Sequence, residues 1–177
     1  MPPVSPKRHR LSSLGAPDDV LSALAPAPDA AIARRVEKLI EFVPQNAIER
    51  KLAEEVAGAC SNEDLVVALR GATVHVASGS NMTPEGDGFS PLLMKASGDV
   101  VLAVFTSAAR VGLYPEYAQH AFEMRWRDFI LAIPPGKGAV LNPGYTHQKI
   151  IPADEVRKLK SWLGSPQPAW PATGTNG

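Results

Sequence analysis

The run VVLAVF at residues 100–105 is the sequence feature that most restricts how this chain can fold. A strand with one solvated face alternates apolar and polar residues, whereas this run is apolar at every position. It therefore predicts a strand that is buried on both faces at the centre of a sheet. Shorter period-two patterns at residues 73–78 and 120–125, together with the stretch PLLMKA at residues 91–96, predict further strands of the same sheet.

Amphipathic patterns place helices before and after these strands. Asn46 with Glu49, and Ser61 with Asp64, have the spacing of capping signals and open two helices ahead of the strands. The stretch PADEVRKLKSWL at residues 152–163 predicts a terminal helix. The sequence thus predicts an α+β fold: a mixed or antiparallel sheet of about five strands packed with helices, with N-terminal helices first and a C-terminal helix last.

Proline-rich stretches mark both ends of the chain. Residues 1–29 and 164–177 combine proline with small and polar residues, so we predict that both are disordered tails outside a domain at residues 46–163. Apolar residues at helical spacing in DAAIARRVEKLIEFVP predict an amphipathic helix at residues 30–45. Such a helix either docks on the domain or recruits a partner, and the sequence leaves both possibilities open.

Charge and cysteine content exclude several classes of function. Lys and Arg total 18, as do Asp and Glu, so no basic field is present to attract nucleic acid. Cys60 is the only cysteine, which rules out an internal disulfide and a cysteine-rich zinc site and is typical of a cytoplasmic protein. No stretch approaches the roughly 18 consecutive apolar residues of a membrane helix. We therefore expect neither a nucleic acid nor a membrane as partner.

Thr106 and Ser107 lie directly after the central strand, and the role of their hydroxyls decides whether the sequence indicates an enzyme. A nucleophile elbow needs glycine two residues before and after its serine, and these positions hold Phe105 and Ala109. The alternative asks only for a hydroxyl between a strand and a helix, where it accepts a main-chain N–H of the first helical turn. We predict this capping role, and hence no catalytic residue at this junction.

Other residues with reactive side chains lack the spacing that their chemistry requires. Lys137 in PPGKG does not fit the phosphate-loop pattern, and the four histidines are scattered without metal-ligand spacing. Cys60, at the end of a helix, is typical of a small buried residue. We predict no metal site and no cofactor, although a weak hydrolase or transferase that uses Cys60 or a histidine stays open as a third hypothesis.

Two tyrosines near a proline, Tyr114 and Tyr117 in GLYPEYAQHAF, allow two interpretations. Tyrosine-rich loops serve recognition well, because the ring supplies contact area and the hydroxyl a hydrogen bond. The other interpretation is that both rings cover the edge of the core.

Three stretches taken together resemble the N-terminal domain of the SseB family, named for enhanced serine sensitivity in bacteria. They are GDVVLAVFTSAARVGLYPEY, WRDFILAIPPGKGAVLNPG and IIPADEVRKL, and the resemblance covers roughly residues 46–163. Its most specific parts are Phe105-Thr106-Ser107 at the end of a strand that starts after glycine, and LNPG at residues 141–144. The resemblance implies an α+β domain, cytoplasmic, with no assigned catalytic activity and an action through association with other proteins.

These observations lead to two main hypotheses. The first is a non-enzymatic protein-binding domain whose partner surface includes the loop at residues 112–120 and the turn formed by Asn142, Pro143 and Gly144. The alternative is a sensor of a small ligand such as an amino acid, with Thr106, Ser107 and Asn142 as its polar contacts near the strand ends.

Overall fold

The computed structural model of the chain describes residues 7–10, 32–33, 38–80, 90–115, 117 and 119–164. Within these residues the helices are α1 (Ala47–Val56), α2 (Asn62–Arg70), α3 (Ala108–Val111), α4 (Trp126–Ala132) and α5 (Ala153–Gly164). The strands are β1 (Lys7–Arg10), β2 (Ile32–Ala33), β3 (Thr73–Ser78), β4 (Leu93–Ala96), β5 (Asp99–Phe105), β6 (His120–Arg125), β7 (Gly138–Leu141) and β8 (Lys149–Ile151).

Strand β5 is the centre of the sheet, as its uniformly apolar sequence predicts. One edge of β5 pairs antiparallel with β4 along Asp99–Leu102 and with β3 at Val104–Phe105. Its other edge pairs in parallel with β7 along Val101–Val104. Alternate side chains of β5 belong to the two different hydrophobic clusters of the domain, so both faces of the strand are buried.

The remaining strands extend a mixed sheet outwards from β5. Strand β6 is antiparallel to β3 and β8 is antiparallel to β7, while β1 runs parallel to β6 and β2 runs parallel to β4. The described part of the sheet therefore has eight strands rather than about five. The predicted α+β class is confirmed, with α1 and α2 ahead of β3 and α5 last.

Helices bury the larger of the two hydrophobic clusters against one face of the sheet. Leu52 of α1, Leu65 of α2, Phe129 of α4 and Leu159 of α5 are all at most 1% exposed. The predicted capping signals are present: the Asn46 side chain accepts the Glu49 N–H, and Ser61 and Asp64 form a reciprocal capping box. Of the helices in the described segments, none is long and apolar enough to cross a membrane.

The predicted amphipathic helix at residues 30–45 does not form across its described residues. Ile32–Ala33 is strand β2, and residues 38–45 are non-helical. The main chain of Ile40 instead exchanges hydrogen bonds with Gly144 and Thr146, so tertiary pairing replaces the local bonds of a helix. The predicted disordered tail at residues 1–29 includes β1, and the rest of it lies outside the described residues, as does the tail after Gly164.

Candidate functional site

A buried cluster of polar side chains lies at the carboxyl end of β5, where the chain passes into α3. We call it the polar cluster, and its members are Glu49, Thr106, Arg110 and Asn142. Glu49 and Asn142 are fully buried, and Thr106 and Arg110 are each 7% exposed. Polar groups buried this deeply destabilise a fold unless they are hydrogen-bonded.

Parallel pairing of β5 with β7 brings Asn142 to Thr106. The Asn142 N–H donates to the Val104 carbonyl oxygen at 2.8 Å and continues the ladder one residue beyond β7. The Asn142 side chain accepts the Thr106 main-chain N–H through Oδ1 at 2.9 Å and donates from Nδ2 to Thr106 Oγ1 at 3.0 Å. Asn142 adopts a φ of 49°, a left-handed conformation that asparagine tolerates better than most residues.

Glu49 and Arg110 form a two-pronged ion pair inside the cluster. Arg110 donates from Nη2 to Glu49 Oε2 at 2.9 Å and from Nε to Glu49 Oε1 at 3.2 Å. The carboxylate also accepts the Thr106 hydroxyl at 2.6 Å and the Gln45 main-chain N–H at 2.7 Å. Both carboxylate oxygens are therefore satisfied, as a buried charge requires.

The ion pair controls the ionisation of both partners. Burial alone would raise the pKa of Glu49, but hydrogen bonds from Arg110, Thr106 and Gln45, with the Arg110 charge, hold that pKa below its usual value of 4.5. The hydrogen bond to Glu49 raises the pKa of Arg110 against the opposing effect of burial. Both groups are consequently charged at neutral pH.

We expect the folded chain to lose stability on acidification through Glu49. Because the pKa of Glu49 is lower in the folded state, its contribution is fully present above about pH 4.5 and disappears as the pH falls through the folded pKa. The free energy of unfolding is measured by urea denaturation at several pH values from neutral to about pH 3. Its decrease per pH unit should be steeper for the wild type than for Glu49→Gln, by up to about 1.4 kcal/mol per pH unit, the value for one bound proton.

A matched control separates Glu49 from a second carboxylate. Hydrogen bonds from Ser61 also lower the pKa of Asp64, so Asp64→Asn should keep the Glu49 part of the acid dependence. If the free energy of unfolding depends on pH equally in the wild type and in Glu49→Gln, Glu49 is not the source of the acid sensitivity.

Two aromatic rings enclose the guanidinium of Arg110. Its Cζ lies 4.4 Å from the ring centroid of Phe42 and 4.9 Å from that of Tyr145, both within the range of a cation–π contact. Arg110 Nη2 also donates to the Val43 carbonyl oxygen at 2.6 Å, and the Tyr145 hydroxyl donates to the Arg110 carbonyl oxygen at 3.3 Å. Arg110 therefore joins α1, α3, the turn after β7 and the segment ahead of α1.

The predicted capping role of Thr106 and Ser107 is wrong. Ser107 occupies the N-cap position of α3, but its side chain makes no capping hydrogen bond, and its buried Oγ has no partner among the described residues. The Thr106 hydroxyl donates to Glu49 and accepts from Asn142 Nδ2. The buried carboxylate is a stronger acceptor than any neutral group nearby, so the Thr106 hydroxyl donates its hydrogen bond to Glu49. The Thr106 main-chain N–H donates to Asn142 instead.

The proposed surface residues in the loop and the LNPG turn are largely buried. Tyr114 is 4% exposed, with its ring centroid 6.1 Å from that of Phe105, which favours the interpretation that it covers the core edge. Tyr117 is half-buried against the same cluster. Pro143 and Gly144 are buried as well. These residues therefore offer little side-chain area to a partner.

Cys60, the candidate nucleophile of the enzyme hypothesis, lies in a setting that makes its thiol less reactive. The Cys60 thiol donates to the Lys51 carbonyl oxygen at 3.6 Å, and burial raises the pKa of the thiol, which lowers the fraction of reactive thiolate. Among the described residues, no three metal-ligating side chains lie close enough to hold an ion. In the polar cluster, the Glu49 carboxylate accepts hydrogen bonds from Arg110, Thr106 and the Gln45 main chain, and Arg110 donates to Glu49 and to the Val43 main chain.

Comparison with known protein families gives a match. A family model described as the SseB protein N-terminal domain matches residues 48–158, well over half of the chain. No match was found among curated proteins or among solved structures. The matched range runs from α1 into α5 and contains all four members of the polar cluster.

Proposed function

Because the chain belongs to the SseB family, we propose that it is a non-enzymatic domain of the bacterial cytoplasm that acts by associating with another protein. The observation that carries the proposal is the distribution of its polar and apolar groups. The polar side chains gathered at the strand ends are buried and bonded to one another. Large apolar side chains are exposed instead: Ile40 at 44%, Val43 at 63%, Val56 at 48%, Val67 at 58% and Ile150 at 40%.

Two further features support a protein as the partner. Equal numbers of basic and acidic residues provide no field for a phosphate backbone. A small ligand bound through Thr106 and Asn142 would have to break the hydrogen bonds between those residues and enter a site that is almost fully buried. Association through exposed apolar side chains requires neither a basic surface nor such a rearrangement.

We expect affinity capture from native cells to return a protein that rebinds the purified chain. Replacing each of the five exposed apolar residues in turn by Asp should raise the dissociation constant about tenfold or more at one or more positions, because burying a charge in an apolar interface is unfavourable. The unaffected substitutions serve as matched controls, since they add the same charge to the same kind of exposed site. A partner whose affinity none of the five alters would contradict apolar association.

The sensor alternative is tested on the same purified chain. A ligand present at about 100 times its dissociation constant stabilises a fold by about 2.7 kcal/mol. We expect no rise in Tm across a panel of amino acids and nucleotides at millimolar concentration. A clear rise with one compound, together with failure to capture a protein, would replace association by ligand sensing.

A further inference from the structure

The segment at residues 38–45 lies outside the family-matched range of 48–158, yet it docks on that range as an extended peptide would. The Ile40 N–H donates to the Gly144 carbonyl oxygen at 2.9 Å, and the Thr146 N–H donates to the Ile40 carbonyl oxygen at 2.8 Å. Ile40 and Tyr145 thereby form a parallel β-bridge. Main-chain pairing of this kind is how extended peptides add to folded domains.

Phe42 anchors the segment. The side chain is only 3% exposed, whereas its neighbours Glu41 and Val43 point to solvent. Its ring centroid lies 5.2 Å from that of His147 and 6.0 Å from that of Tyr145, the latter edge to face at 76°. The guanidinium of Arg110 covers the ring at 4.4 Å. One buried aromatic between two exposed residues is typical of a peptide held by a single pocket.

The residues that receive Phe42 form a groove, which we call the Phe42 groove. It consists of Arg110, Gly144, Tyr145, Thr146 and His147. Thr146 Oγ1 accepts the Phe42 N–H at 3.0 Å, and Arg110 Nη2 donates to the Val43 carbonyl oxygen. Glu49 also accepts two hydrogen bonds from the guanidinium, so Arg110 keeps a partner when residues 40–43 leave the groove.

We propose that the Phe42 groove is a peptide-binding site, filled by residues 40–43 of the chain itself, that accepts in their place an extended segment of a partner protein. The contacts define the partner's chemistry: an aromatic residue for the pocket, with free main-chain N–H groups at that residue and at the residue two positions before it. The inference rests on the proposed function, since it names the partner class of an associating domain. A segment with a single buried side chain and few hydrogen bonds opens at modest cost, which permits exchange.

Binding of the peptide KLIEFVPQ, residues 38–45, to the full-length chain tests the inference. In wild type the tethered segment competes at an effective concentration of about millimolar, so a fluorescein-labelled peptide binds weakly. Phe42→Ala empties the pocket and should tighten the dissociation constant about tenfold or more, as read by fluorescence anisotropy. The same peptide with Ala in place of Phe should bind neither chain. Equal binding to wild type and Phe42→Ala overturns the inference.

Glu41→Ala is the matched control, because Glu41 is the neighbour of Phe42 in the same segment but its side chain is exposed. It should bind the labelled peptide as weakly as wild type does. Circular dichroism checks that Phe42→Ala is folded. Should it be unfolded, Ile40→Pro takes its place, since it removes the N–H that donates to Gly144 and leaves the groove intact.

Hydrogen–deuterium exchange tests the same inference on the wild-type chain, without any substitution. Excess unlabelled peptide should displace the segment and accelerate hydrogen–deuterium exchange at the Ile40 and Phe42 amides, and unchanged exchange overturns the inference. The experiments distinguish rejection of the Phe42 groove as a peptide-binding site from rejection of the proposed function. A partner captured from cells while the peptide fails to bind leaves association standing through another surface, whereas the absence of any rebinding partner removes association itself.

Discussion

Arg110→Ala is expected to lower the free energy of unfolding by about 3–5 kcal/mol, the loss typical of removing one partner from a buried ion pair. Glu49 is fully buried and would keep its charge without its only cationic hydrogen-bond donor in the described structure. The substitution also removes the donor to the Val43 carbonyl oxygen and the cation–π contacts with Phe42 and Tyr145. Urea denaturation at neutral pH, with the midpoint and slope fitted separately, measures the loss.

Two comparisons make the expected result specific to the buried pair. Lys51→Ala breaks the solvent-exposed pair between Lys51 and Glu54 and should leave the unfolding curve unchanged within error. The double variant Glu49→Leu with Arg110→Met should recover much of the loss, because replacing both charges by apolar groups leaves neither unpaired. An Arg110→Ala chain within about 1 kcal/mol of wild type would show that water reaches Glu49 and that the pair is effectively exposed.

What the sequence predicts well is the part of the fold that local pattern determines. The uniformly apolar run of β5 placed it at the centre of the sheet, and the spacing of Asn46 with Glu49 and of Ser61 with Asp64 located the starts of α1 and α2. Hydrophobic periodicity and capping act over a few residues, so one sequence contains all the information they need.

The segment ahead of α1 shows where the same reasoning fails. Its apolar residues repeat at helical spacing, but the energies of helix propensity are small and isolated helices are marginal in water. The hydrogen bonds of Ile40 with Gly144 and Thr146, and the burial of Phe42, outweigh that preference. The hydrogen bonds of Ile40 and Phe42 join residues 40–42 to residues 144–146, a separation in the sequence that no local pattern reveals.

The sequence does not predict the polar cluster, for the same reason. The sequence indicates Thr106 as a helix cap, Asn142 as a turn residue and both as candidate ligand contacts, but not as hydrogen-bond partners, because the partners of Thr106 are 57 and 36 residues away in the chain. The spacing of Glu49 from Asn46 predicts only a capping role for it, whereas its carboxylate accepts hydrogen bonds from Arg110, Thr106 and the Gln45 amide. One signal was available: Arg110 is a lone charge in the otherwise apolar and small stretch SAARVG, and such a residue needs a buried partner.

Asn142→Ala is the second substitution with a large expected effect on stability, because it removes a hydrogen bond and also strains the main chain. The Thr106 main-chain N–H, buried at the end of β5, loses its acceptor, which costs about 1–3 kcal/mol. Alanine must also adopt the left-handed conformation that Asn142 holds at a φ of 49°, at a cost of about 1–2 kcal/mol. We expect the free energy of unfolding to fall by about 2–5 kcal/mol, measured by urea denaturation.

Asn142→Gly divides this loss into its two parts. Glycine adopts the left-handed conformation without strain but supplies no side chain to the Thr106 amide, so it should lose only the hydrogen-bond part. The difference between the alanine and glycine variants then reports the conformational cost of position 142, less the extra chain entropy that glycine adds to the unfolded state. If both variants match wild type, the Thr106 amide has another acceptor, and the polar cluster does not hold the junction between β5 and α3 in place.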